Sequence, residues 1–452
     1  MAILLFIILI LTEAVFGIMG LSRTILKKEW TVKRLIVNVI ETVLYFITIL
    51  LPGIDFSFRF KALFMLLVIR VVFGIIFFFI CRKSEANKKK YGIVISSVLS
   101  IILIAMSMLP AFVFADYKGR PLTGEFEVAE SDAIIIDDSR IESFEQDGSF
   151  REIPVHFYYP SEIYEIEQNS LPLLIFSHGA FGYYQSNAST YMELASHGYV
   201  VASLDHPYHA FFTRDSSGKT ITVDPEFFST ALKVGKNDDS IGEEELFEIT
   251  SKWMELREAD MNFVIDTLKA GNIDDAWFYD AADQEIIAAI VNSIDTTKIG
   301  LMGHSLGGAT AVSVGRRDDI SAVIDLDGTM LGEQIGVDNG YPVINEEIYT
   351  TPILSINNEN HNNECLNARE MGYNYANNII LDNAVVGFST YFKGSEHMNF
   401  TDLPLFSPFL SKMLGTGSVD PKRCINQVNE IVVDFMDCYL KGEGTFAVEE
   451  CY

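Results

Sequence analysis

Four long apolar runs fill the first 114 residues: Ala2–Leu21, Leu35–Leu51, Ala62–Ile80 and Gly92–Phe114. Each is close to the ~20 residues with which an α-helix crosses ~30 Å of hydrocarbon. One cleaved leader cannot account for all four. The runs therefore predict a membrane domain over residues 1–115 with four transmembrane helices. Arg23, Lys27, Lys28, Lys33 and Arg34 lie in or beside the loop between the first two runs. Arg82, Lys83, Lys88, Lys89 and Lys90 separate the last two, and both loops are expected on the cytoplasmic side. The middle loop carries only Arg59 and Lys61 beside Asp55. The chain then exits the fourth helix on the extracytoplasmic side. Glu13 and Arg70 fall at similar depth in runs one and three, and with Glu41 they would be costly against lipid. A Glu13–Arg70 pair is the expected solution. A proton or solute path is the alternative, but no inverted repeat or Gly/Pro-broken helix pair supports it.

Residues 1–114 hold 13 basic and 5 acidic side chains, a net +8, which leaves −36 for the rest of a chain of net charge −28. That field repels a phosphate backbone, so nucleic acid is excluded as a partner. It also favours neutral or zwitterionic small molecules over anionic ones.

After a linker over residues 116–131, β-branched and aromatic runs alternate with amphipathic stretches through 132–452. This is the pattern of an α/β fold with a mostly parallel sheet. Arg151–Tyr159, Leu171–Ser177, Tyr199–Leu204, Lys298–Met302, Ala322–Leu326, Pro352–Ile356 and Gly387–Phe392 read as strands. Ser189–His197 and Glu243–Ala270 read as helices, and the Asp420-Pro421 start signal opens a last helix reaching about Leu440.

Gly303-His304-Ser305-Leu306-Gly307 matches G-x-S-x-G, with a strand before it and small residues for a tightly packed helix after it. Ser305 is the candidate nucleophile. Its base should follow in the chain, and only His361 and His397 do. His397, just beyond a strand, is preferred to His361, which sits in an Asn-rich stretch. Asp327 ends a strand before Gly328 and is the preferred acid, with Asp325 and Glu359 as competitors. Two backbone donors must meet the oxyanion. Leu306 N–H, at the helix start, is one, and Ala180 N–H, in His178-Gly179-Ala180-Phe181-Gly182 after a strand, is the best candidate for the other. His178 should brace that loop. His206 and His209 lack the spacing of a metal motif and read as pocket wall. The set needs no metal and no cofactor. The stretches Phe211–Gly242 and Ile273–Ile294 are lid candidates, and Phe181, Tyr183 and Phe211 rim candidates.

Taken in order, REIPVHFYYP, LLIFSHGAFG, ELASHGYVVASLDHP, IGLMGHSLGGATA, IDLDGTM, FKGSEHMNFTDLP and DPKRCINQVNEIVVDFMDCYLKG resemble the platelet-activating-factor acetylhydrolase family over about residues 130–445. The resemblance implies an α/β-hydrolase fold and no metal. It also implies Ser305, Asp327 and His397 as the catalytic set, Ala180 and Leu306 as oxyanion donors, and hydrolysis of short or oxidised acyl esters of phospholipids or similar small esters. Two departures stand out: HGAFG replaces the HGLG-type loop of the animal enzymes, and the four-helix unit is foreign to soluble members. A membrane-anchored serine ester hydrolase is the expected function. An acyltransferase or thioesterase using the same residues, or a non-catalytic receptor module, are the alternatives. Oligomeric state is not legible. Outside the membrane runs stand Cys365, Cys424, Cys438 and Cys451, an even number that permits two disulfides or four free thiols. Cys365–Cys424 with Cys438–Cys451 is the preferred pairing, and Cys424–Cys438, on one helix, is out of reach.

Overall fold

In the computed structural model, which describes residues 2–51, 54, 56–235, 240–271, 278 and 281–452, the chain forms two compact units. Residues 1–118 and 405–410 make the first, and residues 119–404 and 411–452 the second. Asp55 and parts of both lid candidates (236–239, and 273–277, 279 and 280) lie outside the described residues.

The first unit contains α1 (Ala2–Leu21), α2 (Lys27–Ile49), α3 (Phe58–Cys81) and α4 (Lys90–Val113). Of these α1, α3 and α4 are long and apolar enough to cross a membrane. Helix α2 starts eight residues before its apolar run and carries Lys33, Arg34 and Glu41 within its length. Ile3, Leu11, Ile69, Phe79, Ile95 and Leu99 point outward and are exposed, the reverse of a water-soluble bundle. The two basic loops meet at one end, where Lys27 N–H donates to Ala86 O (2.9 Å) and Lys88 N–H to Ile25 O (2.9 Å). Inside, Glu13 is bonded by Arg70, as the sequence predicts, and also by Arg34 (2.6 Å). Arg70 in turn reaches Glu41 (2.8 Å) and Asn38 Oδ1 (3.1 Å). Two acids and two bases close an electroneutral cluster, which is how a low-dielectric interior tolerates charge.

The second unit is α/β. The eight strands of its main sheet are β1 (Val128–Ile141), β2 (Phe150–Pro160), β3 (Leu171–Ser177), β4 (Val200–Leu204), β5 (Ile294–His304), β6 (Ala322–Leu326), β7 (Ile353–Asn358) and β8 (Gly387–Phe392). They are ordered β1-β2-β4-β3-β5-β6-β7-β8. Only the β1–β2 and β2–β4 pairs are antiparallel. Strand β1 opens inside the stretch read as a linker. Because both faces are covered, the central strands are continuous apolar runs whose side chains alternate between layers. Leu173 and Ile175 of β3 face one core with Met261, Val264 and Leu268 of α6 (Glu243–Ala270). Leu174 and Phe176 face the other with Tyr191 and Leu194 of α5 (Ala188–Ser196) and Val428 and Val432 of α8 (Pro421–Met436). The helix after β5, Leu306–Val314, is α7.

The two lid candidates part company. Phe211–Gly242 supplies a hairpin (Phe212–Arg214 with Thr220–Thr222) and a helix, Pro225–Val234. Phe227 of that helix packs with Leu306, Ala180 and Phe181. In the other stretch the helix Ala281–Ser293 puts Ile287, Ile290 and Val291 into the main sheet core, so it is scaffold. All five cysteines are free, so the preferred disulfide pairing is not realised.

The ion cluster of the first unit yields a prediction. Arg70→Met strands Glu41 without its cation and should lower the unfolding temperature of the detergent-solubilised full chain, at a cost of about 3–5 kcal/mol. Arg70→Met combined with Glu41→Gln restores neutrality and should recover most of that loss. Equal unfolding temperatures for the single and double variants would show that the cluster's charges are not coupled.

Candidate active site

Because β3, β5, β6, β7 and β8 are parallel neighbours, their carboxyl ends open on one edge, where α/β sheets place their sites. Ser305 follows β5 with φ 56° and ψ −124°, a backbone conformation that non-glycine residues rarely adopt. Its N–H donates to Leu326 O (2.8 Å), tying the turn to β6. The turn depends on its glycines. A Cβ on Gly307 would lie 1.9 Å from the Ser177 carbonyl oxygen, and one on Gly303 would lie 2.1 Å from Gly307 O.

Asp327 follows β6, 3% exposed, and its Oδ2 accepts from His397 Nδ1 (2.6 Å) and Asn358 Nδ2 (2.6 Å). Burial opposes its charge, but hydrogen bonds from His361 and His397 hold the carboxyl well below the usual range. His397 opens the one-turn helix His397–Phe400, fixed by reciprocal bonds between Glu396 and Asn399. His304, the second residue of the motif, sits with its ring 4.5 Å from that of His397, and its Nε2–H donates to His397 O (3.1 Å). Burial, then the nearby His397, push His304 down to about 3, so it is neutral.

The competing acids have partners of their own. Asp325 is fully buried and accepts from Gly328 N–H (2.9 Å), bracing the turn after Asp327. Burial raises it to about 8, which leaves it protonated at neutral pH. Glu359 accepts from Gly394 N–H (2.9 Å), steadying the loop before His397. His361, the competing base, does not stand apart from the set: its Nδ1 lies 3.1 Å from Asp327 Oδ1.

The loop His178–Gly182 passes so close to Ser305 that a Cβ on Gly179 would lie 3.1 Å from the serine Cβ. Ala180 N–H makes no backbone hydrogen bond among the described residues. Leu306 N–H opens α7, where the first amides have no intrahelical acceptor. His178 is buried with Nδ1–H on Gly179 O (2.7 Å) and Nε2 accepting from His206 N–H (3.2 Å), a brace. Phe181 packs on Phe227 and Phe228, Tyr183 stacks on Phe212, and Phe211 is exposed.

His206 and His209 join a buried polar network. Both are buried. His206 bonds Asp260 (2.9 Å) and Ser177 Oγ (2.9 Å), and His209 Nδ1 accepts from Arg257 (3.3 Å). Arg257, fully buried on α6, donates to His178 O (2.6 Å) and, more distantly, to Gly179 O (3.4 Å). Asp260, one turn on, is held by Arg151 (2.7 Å) and Arg140 (2.9 Å). Burial lowers the Arg257 pKa, opposed by Asp260, but a guanidinium remains charged at neutral pH. The sequence reading missed this network. Its signal was present: Arg257 interrupts the stripe Met254, Met261, Val264 and Leu268 on the buried face of α6.

Residues 158–448 match the family model described as platelet-activating factor acetylhydrolase, isoform II. Proteins described as platelet-activating factor acetylhydrolase from Bos taurus and Gallus gallus are 26% and 23% identical over 295 and 297 residues. Each alignment covers 61% of this chain but only 58% and 63% of the respective relative, under two thirds of either. A solved structure of a ferulic acid esterase from Streptomyces cinnamoneus aligns with TM-score 0.49 at 19% identity, over 73% of this chain and 95% of its own.

Removing the Arg257 guanidinium leaves the His178 carbonyl without a charged donor and frees the loop that faces Ser305. Arg257→Met should lower ester turnover about tenfold to a hundredfold, mainly in kcat, together with a reduced unfolding temperature. Wild-type kcat in a folded Arg257→Met variant would show that the guanidinium does not position the loop.

Proposed function

This chain belongs to the platelet-activating factor acetylhydrolase, isoform II, family, and from that premise we propose that it is a membrane-anchored serine carboxylic-ester hydrolase. The observation that carries the reading is the 2.6 Å bond from His397 Nδ1 to the buried Asp327, on the same sheet edge as the strained Ser305.

In this reading, Ser305 Oγ attacks the ester carbonyl carbon while His397 Nε2 takes its proton, and Asp327 steadies the resulting imidazolium through Nδ1–H. Negative charge builds on the carbonyl oxygen between the amides of Ala180 and Leu306. Collapse breaks the ester C–O bond, and the alcohol leaves with the proton from His397. Water, deprotonated by His397, then attacks the acyl-Ser305 ester, and the carboxylic acid departs as Ser305 recovers its proton. The neutral His304 supports the His397 backbone without adding a charge that would weaken the base.

The substrate is a short-acyl ester, phospholipid-like or another small neutral or zwitterionic molecule, in keeping with the family and the −36 charge of residues 115–452. Four spans with the hydrolase outside the cytoplasm are part of the proposal. Basic residues at one shared end support the orientation. The neutral cluster supports α2 as a span, since it absorbs Arg34 and Glu41.

Ser305→Ala and His397→Ala should each reduce kcat by about 10⁴-fold or more without adding in the double variant, and Ser305→Ala should abolish fluorophosphonate labelling. Asp327→Asn should be severe. Asp325→Asn should be mild, because it replaces an already neutral group. A more damaging Asp325→Asn at equal folded content would reverse the acid assignment. The charge argument has its own test: raising salt should increase kcat/KM for an anionic ester and leave a zwitterionic analogue nearly unchanged. Equal responses would assign selection to pocket shape alone.

A further inference from the structure

We propose that His361 is a positioning residue of the reaction above: a second imidazole that shares the Asp327 carboxylate with His397 and sets how strongly that carboxylate holds His397 as an imidazolium. The inference rests on the Ser305–Asp327–His397 reading and adds a third party to it.

Four donors converge on Asp327. Oδ2 receives His397 Nδ1 (2.6 Å) and Asn358 Nδ2 (2.6 Å), and Oδ1 receives Asn358 N–H (2.8 Å) and His361 Nδ1 (3.1 Å). The two imidazoles thus occupy different oxygens of one carboxylate. His361 is 5% exposed and stands in the first turn of the helix Glu359–Met371. The side chain of Asn358 caps that helix by accepting His361 N–H (2.8 Å), so one residue both grips the acid and fixes the backbone of its second donor. This arrangement is built: it joins the end of β6, the end of β7 and the helix that follows.

The titratable groups around His361 define what it can do. From β6 come Asp327 and Asp325, the latter protonated at neutral pH. From its own helix comes Cys365, one turn on, and from the next segment Tyr375, ring centroids 6.1 Å apart. On the far oxygen of Asp327 lies His397. Burial works against a charge on His361, but the hydrogen bond to Asp327, then the nearby Cys365, hold it well above the usual imidazole range. The His361 ring thus competes with His397 for the Asp327 carboxylate, each from its own oxygen.

The consequence has a sign. Beside a bare buried carboxylate an imidazole becomes a stronger base, so His397 would stay protonated, and useless as a base, to higher pH. With the His361 N–H drawing on the other oxygen that pull is partly cancelled, and the carboxylate holds a His397 imidazolium less strongly. The acid limb of kcat/KM, where activity falls as His397 gains its proton, is therefore placed lower by His361. The three groups titrate as a unit.

The test uses the full chain in detergent with a neutral chromogenic short-acyl ester. His361→Gln keeps an N–H donor without the charge, and His361→Phe removes both. Both should move the acid limb up by about one pH unit, the size of effect one neighbouring charge produces. The plateau should drop less than fivefold for Gln and tenfold or more for Phe. A purely structural role would lower the plateau and the unfolding temperature while leaving the limb in place, and an unmoved limb in folded variants overturns the proposal. Should neither variant fold, a pH titration of ¹⁵N-histidine-labelled wild-type chain decides. An imidazolium at position 361 that persists through pH 8 supports the assignment, and a neutral ring at pH 6 overturns it. Failure of the underlying reading looks different, because turnover would then survive in His397→Ala.

Discussion

A single buried charge organises the candidate site. The Asp327 carboxylate is almost wholly removed from water, and an uncompensated charge there would cost several kcal/mol. Its four donors come from the backbone and side chain of Asn358, from His361 and from His397. Satisfying one charge therefore fixes the carboxyl ends of β6 and β7, the start of the helix Glu359–Met371 and the loop after β8. None of these could shift by an ångström without exposing an unpaired acceptor. The parallel register supplies the rest, since Gly303 pairs with Ser177 on one side and Asp325 on the other and so brings Ser305 to the same edge.

The same rule appears twice more, with different partners. Beneath the loop His178–Gly182, Arg257 supplies positive charge to backbone carbonyls, while Asp260 is neutralised by Arg151 and Arg140. In the helical unit Glu13 and Glu41 are neutralised by Arg34 and Arg70. In all three places a buried carboxylate lies within ion-pair distance of a basic side chain. Arginine recurs because its planar fork can hold several oxygens at once.

How much of this was legible follows from the range of each interaction. The central strands could be read because a strand buried on both faces must be apolar throughout. Strand β1 could not: as an edge strand it mixes Glu130, Asp132, Asp137 and Asp138 with Ile134–Ile136, and that mixture lacks the apolar continuity of the central strands. Ser305 was legible because its backbone conformation demands glycines two residues to either side. His397 and Asp327 followed from chain order. The capping role of Asn358 and the place of His361 beside Asp327 were hidden by their neighbours, since Asn-rich sequence resists helix while Asn at a cap starts one, and residues alone do not say which applies. The Glu13–Arg70 pair was visible from depth, whereas Arg34 and Glu41 required the actual packing of the helices. Helix Ala281–Ser293 reads as a lid in sequence because it is an insertion-like stretch between recognised elements, and only its burial against the sheet corrects that.

The strain at Ser305 closes the physical account. A non-glycine residue at φ 56°, ψ −124° costs of order 1–3 kcal/mol, and it persists only where the surroundings over-determine it. Here three restraints act at once. Ser305 N–H is bonded to Leu326 O, Ser305 O accepts from Ala309 N–H as α7 begins, and Gly307 is pressed on the Ser177 carbonyl. Relaxing φ would break the first two bonds, at about 0.5–1.5 kcal/mol each, and detach α7 from β3 and the buried core behind it. The strained geometry is thus the lower-energy choice for the folded sheet, and it leaves the serine hydroxyl beside the His178–Gly182 loop rather than packed in the core.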